Sequence, residues 1–322
     1  MGKIEMGRSF SPRVSVVIPM HNSEPFIIGT LHSILRENDV PIEIVVINDK
    51  STDQSLERVL SIRDERIHIV DGPGTGISSC LNTGIAAAKG DIIMRCDADD
   101  QYPAGRIKEQ VAWLDAYPEY AAVCGAFSTM DTAGRLVAEM ATGQLIEEIT
   151  GELNSGKTRT HFCTYAVRRA ALYSVGGFRP YFVTAEDVDF QLRLGEVANI
   201  MYLPRPFYMY RLHEASITHT QGNTKRVFFE NTARQFQSQR KMTGQDDLQK
   251  GAPPQPPDVQ SDKPGTAAQQ IKGILTGAAW NEHSAGSRLK AVALGCRAIR
   301  QAPFDLDLWR GLLALLIKST KK

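Results

Sequence analysis

Asp97, Asp99 and Asp100 lie within four positions, directly after the apolar run Ile92 to Arg95. Carboxylates crowded at the end of a buried strand repel one another, so one must be protonated or turned to solvent unless a cation sits among them. A hard divalent ion with oxygen ligands, Mg2+ or Mn2+, is the economical explanation, and it would bring its own charge to a phosphate. A solvated acidic turn is the alternative. Asn48, Asp49, Ser51, Thr52 and Asp53 form a second polar cluster. Ser51 and Asp53 suit the capping of a following helix, whereas Asp49, nearer the strand, is left to accept hydrogen bonds from a base or ribose. A third group, Glu186, Asp187 and Asp189, opens an expected helix, where carboxylates complement the dipole whether or not they do chemistry. Tyr210, Arg211 and His213 could meet a phosphate or be ordinary surface groups. Gly72, Gly74 and Gly76 suggest a dinucleotide loop, but Ile77 breaks the GxGxxG spacing and the loop follows a third strand, not the first.

These clusters need elements to position them. Val14 to Pro19 and Ile42 to Ile47 are β-branched runs of the kind buried on both faces of a parallel sheet. Between them Ile27, Ile28, Leu31, Ile34 and Leu35 recur at helical spacing. A helix from about Gln54 to Ile62, a strand at Ile67 to Val70, a helix at Ile77 to Ala88 and a strand at Asp91 to Arg95 follow. The alternation predicts a doubly wound parallel sheet, whose ligands sit at the C-terminal strand ends, and the polar clusters fall there. From Tyr117 the pattern is mixed, with a strand at Ala121 to Phe127 and helices near Arg168 to Val175 and Glu186 to Val197. Residues 244–265 carry five prolines among Gln, Asp and Lys and predict an extended or disordered linker. Residues 266–322 read as helical, with Leu289, Val292, Ala293, Cys296 and Ile299 along one side.

Composition narrows the class. The 322 residues are 42% hydrophobic and 23% charged, which fits a globular chain and excludes wholesale disorder or a polytopic membrane protein. Thirty-seven Lys and Arg against 36 Asp and Glu leave a net charge of +1, so no global basic field argues for a nucleic-acid partner. Five scattered cysteines without a CxxC pair point to a reducing compartment, the cytoplasm. Met1 to Arg13 lacks the apolar run of a secretory signal, and no stretch supplies about 18 uninterrupted apolar residues.

Taken in order, VSVVIPMHN, EIVVINDKSTDQS, GISSCLNTGIAAAKGDIIMRCDADD, VGGF with AEDVDFQLRL, and YMYRLHEASIT resemble the family 2 glycosyltransferases over about Val14 to Thr218. The resemblance implies an α/β fold of GT-A type, a Rossmann-like, mainly parallel central sheet flanked by helices, in a GT-A domain at 14–243 with a nucleotide half to about 116 and an acceptor half from 117. The tail at 1–13, the linker at 244–265 and the C-terminal helical appendage at 266–322 lie outside it. Asp97 and Asp99 match the DxD motif, with Asp99 the direct metal ligand and Asp97, beside Ala98, near the ribose or metal. Pro19, His21 and Asn22 occupy the first-strand nucleotide loop, and Asp49 the position that meets the base or ribose. Gly76, Ile77 and Asn82 fall in the segment lining the nucleotide and sugar pocket. Asp187 matches the expected general base with Glu186 beside it, and His213 a position able to approach diphosphate or metal.

The function so implied is metal-dependent, inverting transfer from a nucleotide sugar, UDP-linked by expectation, to a hydroxyl of a glycan or lipid-linked acceptor in cell-surface polysaccharide synthesis. A nucleotidyltransferase would need a basic phosphate loop that Pro19 to Pro25 lacks, and a non-catalytic nucleotide-sugar-binding relative would have no reason to keep Asp99 and Asp187. The apolar stretch Leu306 to Ile317, followed by Lys318, Lys321 and Lys322, suits packing onto the protein or a second copy, or peripheral contact with the inner face of a membrane.

Overall fold

The computed structural model describes residues 11–140, 143–214, 223–257 and 266–318. Strands β1 (Val14–Met20), β2 (Ile42–Asn48), β3 (Ile67–Asp71) and β4 (Ile92–Arg95) alternate with helices α1 (Ile27–Leu35), α2 (Ser55–Ser61) and α3 (Ile77–Ala87), and α4 (Arg106–Ala116) follows. Every residue of β1 is buried, as its unbroken β-branched run requires of a central strand. β1 pairs in parallel with β2 on one side and β4 on the other, and β2 with β3. The order β3-β2-β1-β4 therefore reverses at β1, which makes the carboxyl ends of β1 and β4 a topological switch point, the usual ligand crevice of an open α/β sheet.

The sheet then changes character. β5 (Ala122–Met130), β6 (Leu136–Met140), β7 (Glu147–Glu148), β8 (Ala166–Arg168) and β9 (Ile200–Arg211) complete nine strands among the described residues, in the order β3-β2-β1-β4-β8-β5-β9-β7 with β6 on β5. The joins of β8 to β4 and β5, and of β7 to β9, are antiparallel. Short helices α5 (Thr150–Asn154) and α6 (Arg169–Ser174) precede α7 (Glu186–Val197), and α8 (Asn223–Thr243), α9 (Ala267–Ser284), α10 (Arg288–Gln301) and α11 (Leu306–Ile317) follow. β9 runs through Pro204 and Pro206, residues that argue against a strand in the sequence because each lacks an N–H for the ladder.

The chain divides into two compact units. Among the described residues the first comprises 11–127, 143–209 and 226–257, and the second 128–140, 210–214, 223–225 and 266–318. In the first, the β1 to β4 core packs on Phe162, Phe178 and Phe190, and a smaller aromatic cluster joins Phe182, Phe229 and Phe236;. In the second, Val137, Ala138 and Leu212 share a core with Ile271, Leu275 and Ala298.

Two sequence expectations need correction. Residues 244–257 are anchored rather than disordered: Asp246 is fully buried between Arg179 and Arg240, and the Tyr181 hydroxyl donates to the Pro254 carbonyl at 2.6 Å. Buried ion pairs hold a segment that has almost no apolar side chains to do so; residues 258–265 lie outside those described. In α10 the buried line is Ala291, Gly295, Ala298 and Ile299, whereas Leu289 is 89% exposed and Cys296 is also exposed. Small residues prevail there because a Cβ on Gly295 would lie 3.0 Å from Leu312 and 3.3 Å from Leu315 of α11.

Candidate active site

The turn after β4 is held from several sides. The Asp97 N–H donates to the Tyr208 hydroxyl at 2.9 Å, and β9 latches onto the turn through paired backbone bonds between Gln101 and Met209. From α1, Thr30 Oγ1 lies 2.9 Å from the Ala98 carbonyl and 2.7 Å from that of Asp100, its single proton serving one at a time. Asp100 is fully buried, while Asp97 and Asp99 are half-buried. Arg95 does more than close the strand. Its Nε and Nη2 donate to Asp97 at 2.7 and 3.3 Å, and its Nη1 donates to Glu186 at 3.0 Å. One buried guanidinium thus joins the carboxylate turn to the start of α7.

Around this turn the other strand ends are tied together. Pro19 is paired within β1 against Ile47. His21 Nδ1 is 2.7 Å from the Asp49 carbonyl, which only accepts, so the ring proton sits on Nδ1 and Nε2 faces the Asn22 amide at 3.3 Å. Asn22, at φ 50°, accepts from the Thr52 N–H at 2.7 Å and the Asp53 N–H at 3.3 Å. Asp49 Oδ1 accepts from the Gly74 N–H at 2.6 Å, so the carboxylate also anchors the loop after β3. Gly72 is needed beneath it, because a Cβ there would come within 2.7 Å of Asp49 Cα. Ser51, read as a helix cap, accepts instead from the Asn22 N–H, while Asp53 accepts from Ser55 and Glu24. Gly76 at φ 102° precedes Ile77, the first residue of α3. Asn82 bonds through both ends of its amide to the Phe178 backbone at 2.7 and 2.8 Å, fastening α3 to the VGGF segment.

At the start of α7 the three carboxylates occupy three different environments. Asp189 is fully buried and accepts from Arg179 and Arg193, whose network continues through Asp246 to Arg240 and Glu196. Glu186 is buried beside Arg95; burial pushes its carboxyl up, the Arg95 charge pulls against this and Asp187 adds to it. Asp187 alone is half-buried and opens on a recess with Phe127, Thr160, His161, Val188 and Arg226. Burial pushes His161 down, with Asp187 opposing and Arg226 assisting. Ala185, which caps the helix at φ 56° and ψ 22°, holds the left-handed conformation that costs a residue with a Cβ about 1–2 kcal/mol.

The strand pairing therefore brings His21, Asn22, Asp49, Asp97 and Asp99 to the carboxyl ends of β1, β2 and β4, and Arg95 links Asp97 to Glu186, the neighbour of Asp187. His213 is buried just after β9, in the second unit. Among the described residues no group of three or more His, Cys, Asp or Glu side chains is arranged to hold a metal ion. Thr30, Arg95, His161, Tyr208 and Arg226 escaped the sequence reading. Only Arg95 carried a signal, as a charge inside a buried strand next to the acidic turn.

Comparison with known proteins gives this edge a family. The model of glycosyl transferase family 2 matches residues 15–177, about half of the chain. The uncharacterized glycosyltransferase EpsJ of Bacillus subtilis (strain 168) is 29% identical over 218 residues, 64% of this chain and 63% of that protein. Chondroitin synthase of Pasteurella multocida (strain Pm70) is 28% identical over 205 residues, 63% of this chain but 21% of that protein. The chain thus spans less than two thirds of the length of these relatives. Among solved structures, S. aureus TarS 1–349 in complex with UDP-GlcNAc superposes with a TM-score of 0.60 at 19% identity, covering 90% of this chain and 82% of that one, a likeness of fold. The fold is α/β of GT-A type, and the chain belongs to glycosyl transferase family 2.

Proposed function

We propose that the protein is a metal-dependent, inverting glycosyltransferase that moves a sugar from a nucleoside diphosphate, UDP first among candidates, to a hydroxyl of a glycan or lipid-linked acceptor in polysaccharide synthesis. The observation that carries this reading is the Arg95 bridge between Asp97 of the DxD turn and Glu186 beside Asp187. It supports reading the Asp97 to Asp99 turn and Asp187 as the donor side and the base of one site. The family match and the TarS complex with UDP-GlcNAc support the donor class. Five free thiols, four of them buried, support a reducing, cytoplasmic setting.

Asp99 would hold Mn2+ or Mg2+ through its hard carboxylate oxygens, with Asp97, whose two oxygens already accept from Arg95, beside it. Such an ion supplies charge neutralisation for the departing diphosphate. The Asn22, Asp49 and Gly72 to Gly76 edge holds the nucleoside, with Ile77 and Asn82 shaping the wall behind the sugar. Asp187 takes the proton of the acceptor hydroxyl as its oxygen bonds the anomeric carbon and the bond to the diphosphate breaks. A single displacement inverts the centre, and the base contributes about 10²-fold to 10⁴-fold. Arg95 pairs with Glu186 and so offsets the buried carboxylate beside Asp187.

Calorimetric titration with UDP, with and without Mn2+, on the native protein and Asp99→Ala tests the donor half. Metal-dependent binding lost in Asp99→Ala is the expected result; equal binding in both proteins with and without metal overturns the metal assignment.

A further inference from the structure

The second unit carries a surface that the transfer reaction does not use. In α11, Leu308, Leu312 and Leu315 face α9 and α10, but Leu306, Leu313 and Ile317 are 69%, 55% and 79% exposed, and Trp309 and Leu316 are nearly half so. These five residues span about 100° of the helix, one continuous stripe opposite the packed side. Phe304, just before the helix, is 95% exposed. At the other end the exposed Arg288 reaches the Leu315 carbonyl through Nε at 3.4 Å, which sets a cation of α10 beside that end of α11.

Charge decides what covers it. Residues 266–322 contain nine Lys and Arg against three Asp and Glu, a net +6, so the rest of a chain at +1 carries −5. Of the three acids, Asp305 is paired with Lys272 at 2.8 Å and Asp307 with Arg310 at 3.1 Å. A second copy laid on the stripe would bring two such segments together and set like charges face to face. An anionic lipid surface takes both the apolar stripe and the cations at its border. No helix among the described residues is long and apolar enough to cross a membrane. We propose that α11, with the start of α10, docks in the plane of an anionic membrane surface, its Leu306, Trp309, Leu313, Leu316 and Ile317 stripe among the acyl chains and Arg288 and Arg310 at the headgroups.

The test is co-sedimentation of the full chain with vesicles of phosphatidylcholine alone and of phosphatidylcholine with one quarter phosphatidylglycerol, at low and high salt. Binding is expected only with the anionic vesicles, weakening with salt and by about fivefold for each of Arg288→Gln and Arg310→Gln. Leu313→Glu with Ile317→Glu, both exposed in the fold, should abolish it while UDP binding persists as the check on folding. Fluorescence of Trp309, identified by Trp309→Phe, should shift to the blue on binding. Absence of binding to either vesicle, salt-independent binding to neutral vesicles, or a dimer in solution dispersed by Leu313→Glu would each overturn the proposal, the last in favour of a second copy.

Discussion

The donor edge and the start of α7 are both built from carboxylates at element ends, yet they are held in opposite ways. At the donor edge the ties are backbone groups and small polar side chains from neighbouring βα units, such as Asn22 to Thr52 and Gly74 to Asp49, 30 and 25 positions apart. At α7 they are charges from remote segments: Arg95 reaches Glu186 across 91 positions, and Arg179 reaches Asp246 across 67. A rigid edge of hydrogen bonds suits a donor of fixed shape. The start of α7 rests on charges that arrive from across the fold, and it is vulnerable to changes far from it.

The contrast is broken most severely at its chemical end. Asp187→Asn should lower transfer by about 10²-fold to 10⁴-fold while leaving UDP binding intact, measured as product formation beside calorimetry; loss of both together would move Asp187 out of the base role. Next comes the remote anchor. Asp246→Ala leaves Arg179 and Arg240 buried with a partner missing and should cost about 3–5 kcal/mol in chemical denaturation, as removal of one member of a buried pair does. A cost below about 1 kcal/mol would show that the network does not hold α7. Asn22→Ala removes an acceptor shared by the Thr52 and Asp53 amides and should cost only about 1 kcal/mol, with weaker nucleotide binding as its second readout.

The smallest effect is a pH dependence that separates two groups on the α7 side. Burial holds His161 below its ordinary 6.5, so the unfolded chain binds the proton first, and stability falls as pH drops below about that value. Glu186 has the opposite sign: its carboxyl is held above the usual 4.5, so its contribution is greatest below that pH and is lost as pH rises through its folded value. Thermal unfolding across pH should lose the first slope in His161→Phe and keep it in Glu186→Gln; an unchanged slope in His161→Phe assigns it elsewhere.

Much of the donor half was legible because each βα unit ends its own strand in its own polar turn. Asp49, Asp97 and Asp99 could be named from their neighbours alone. β9 was not, since Pro204 and Pro206 mask a strand whose partners lie far away in the chain. The residues 244–257 were misread for a related reason, as a polar composition says nothing of partners that arrive from α7 and α8. Asn82 and Asn22, read from the sequence as pocket residues, have amides that fasten one segment to another.

Sequence by itself determined the parallel half of the sheet, because unbroken β-branched runs have no stable place except between two covered faces, and it put the acidic turn at the end of one of them. It also fixed the charge contrast between residues 266–322 and the remainder. Only the tertiary structure decided which of the α7 carboxylates is open to a substrate, which is locked between arginines and which leans on Arg95, because burial and the nearest opposite charge are properties of assembled elements. The same holds for α11: its apolar residues were evident, but which of them face neighbours and which face solvent was settled by Gly295, whose missing side chain sets where the helices meet.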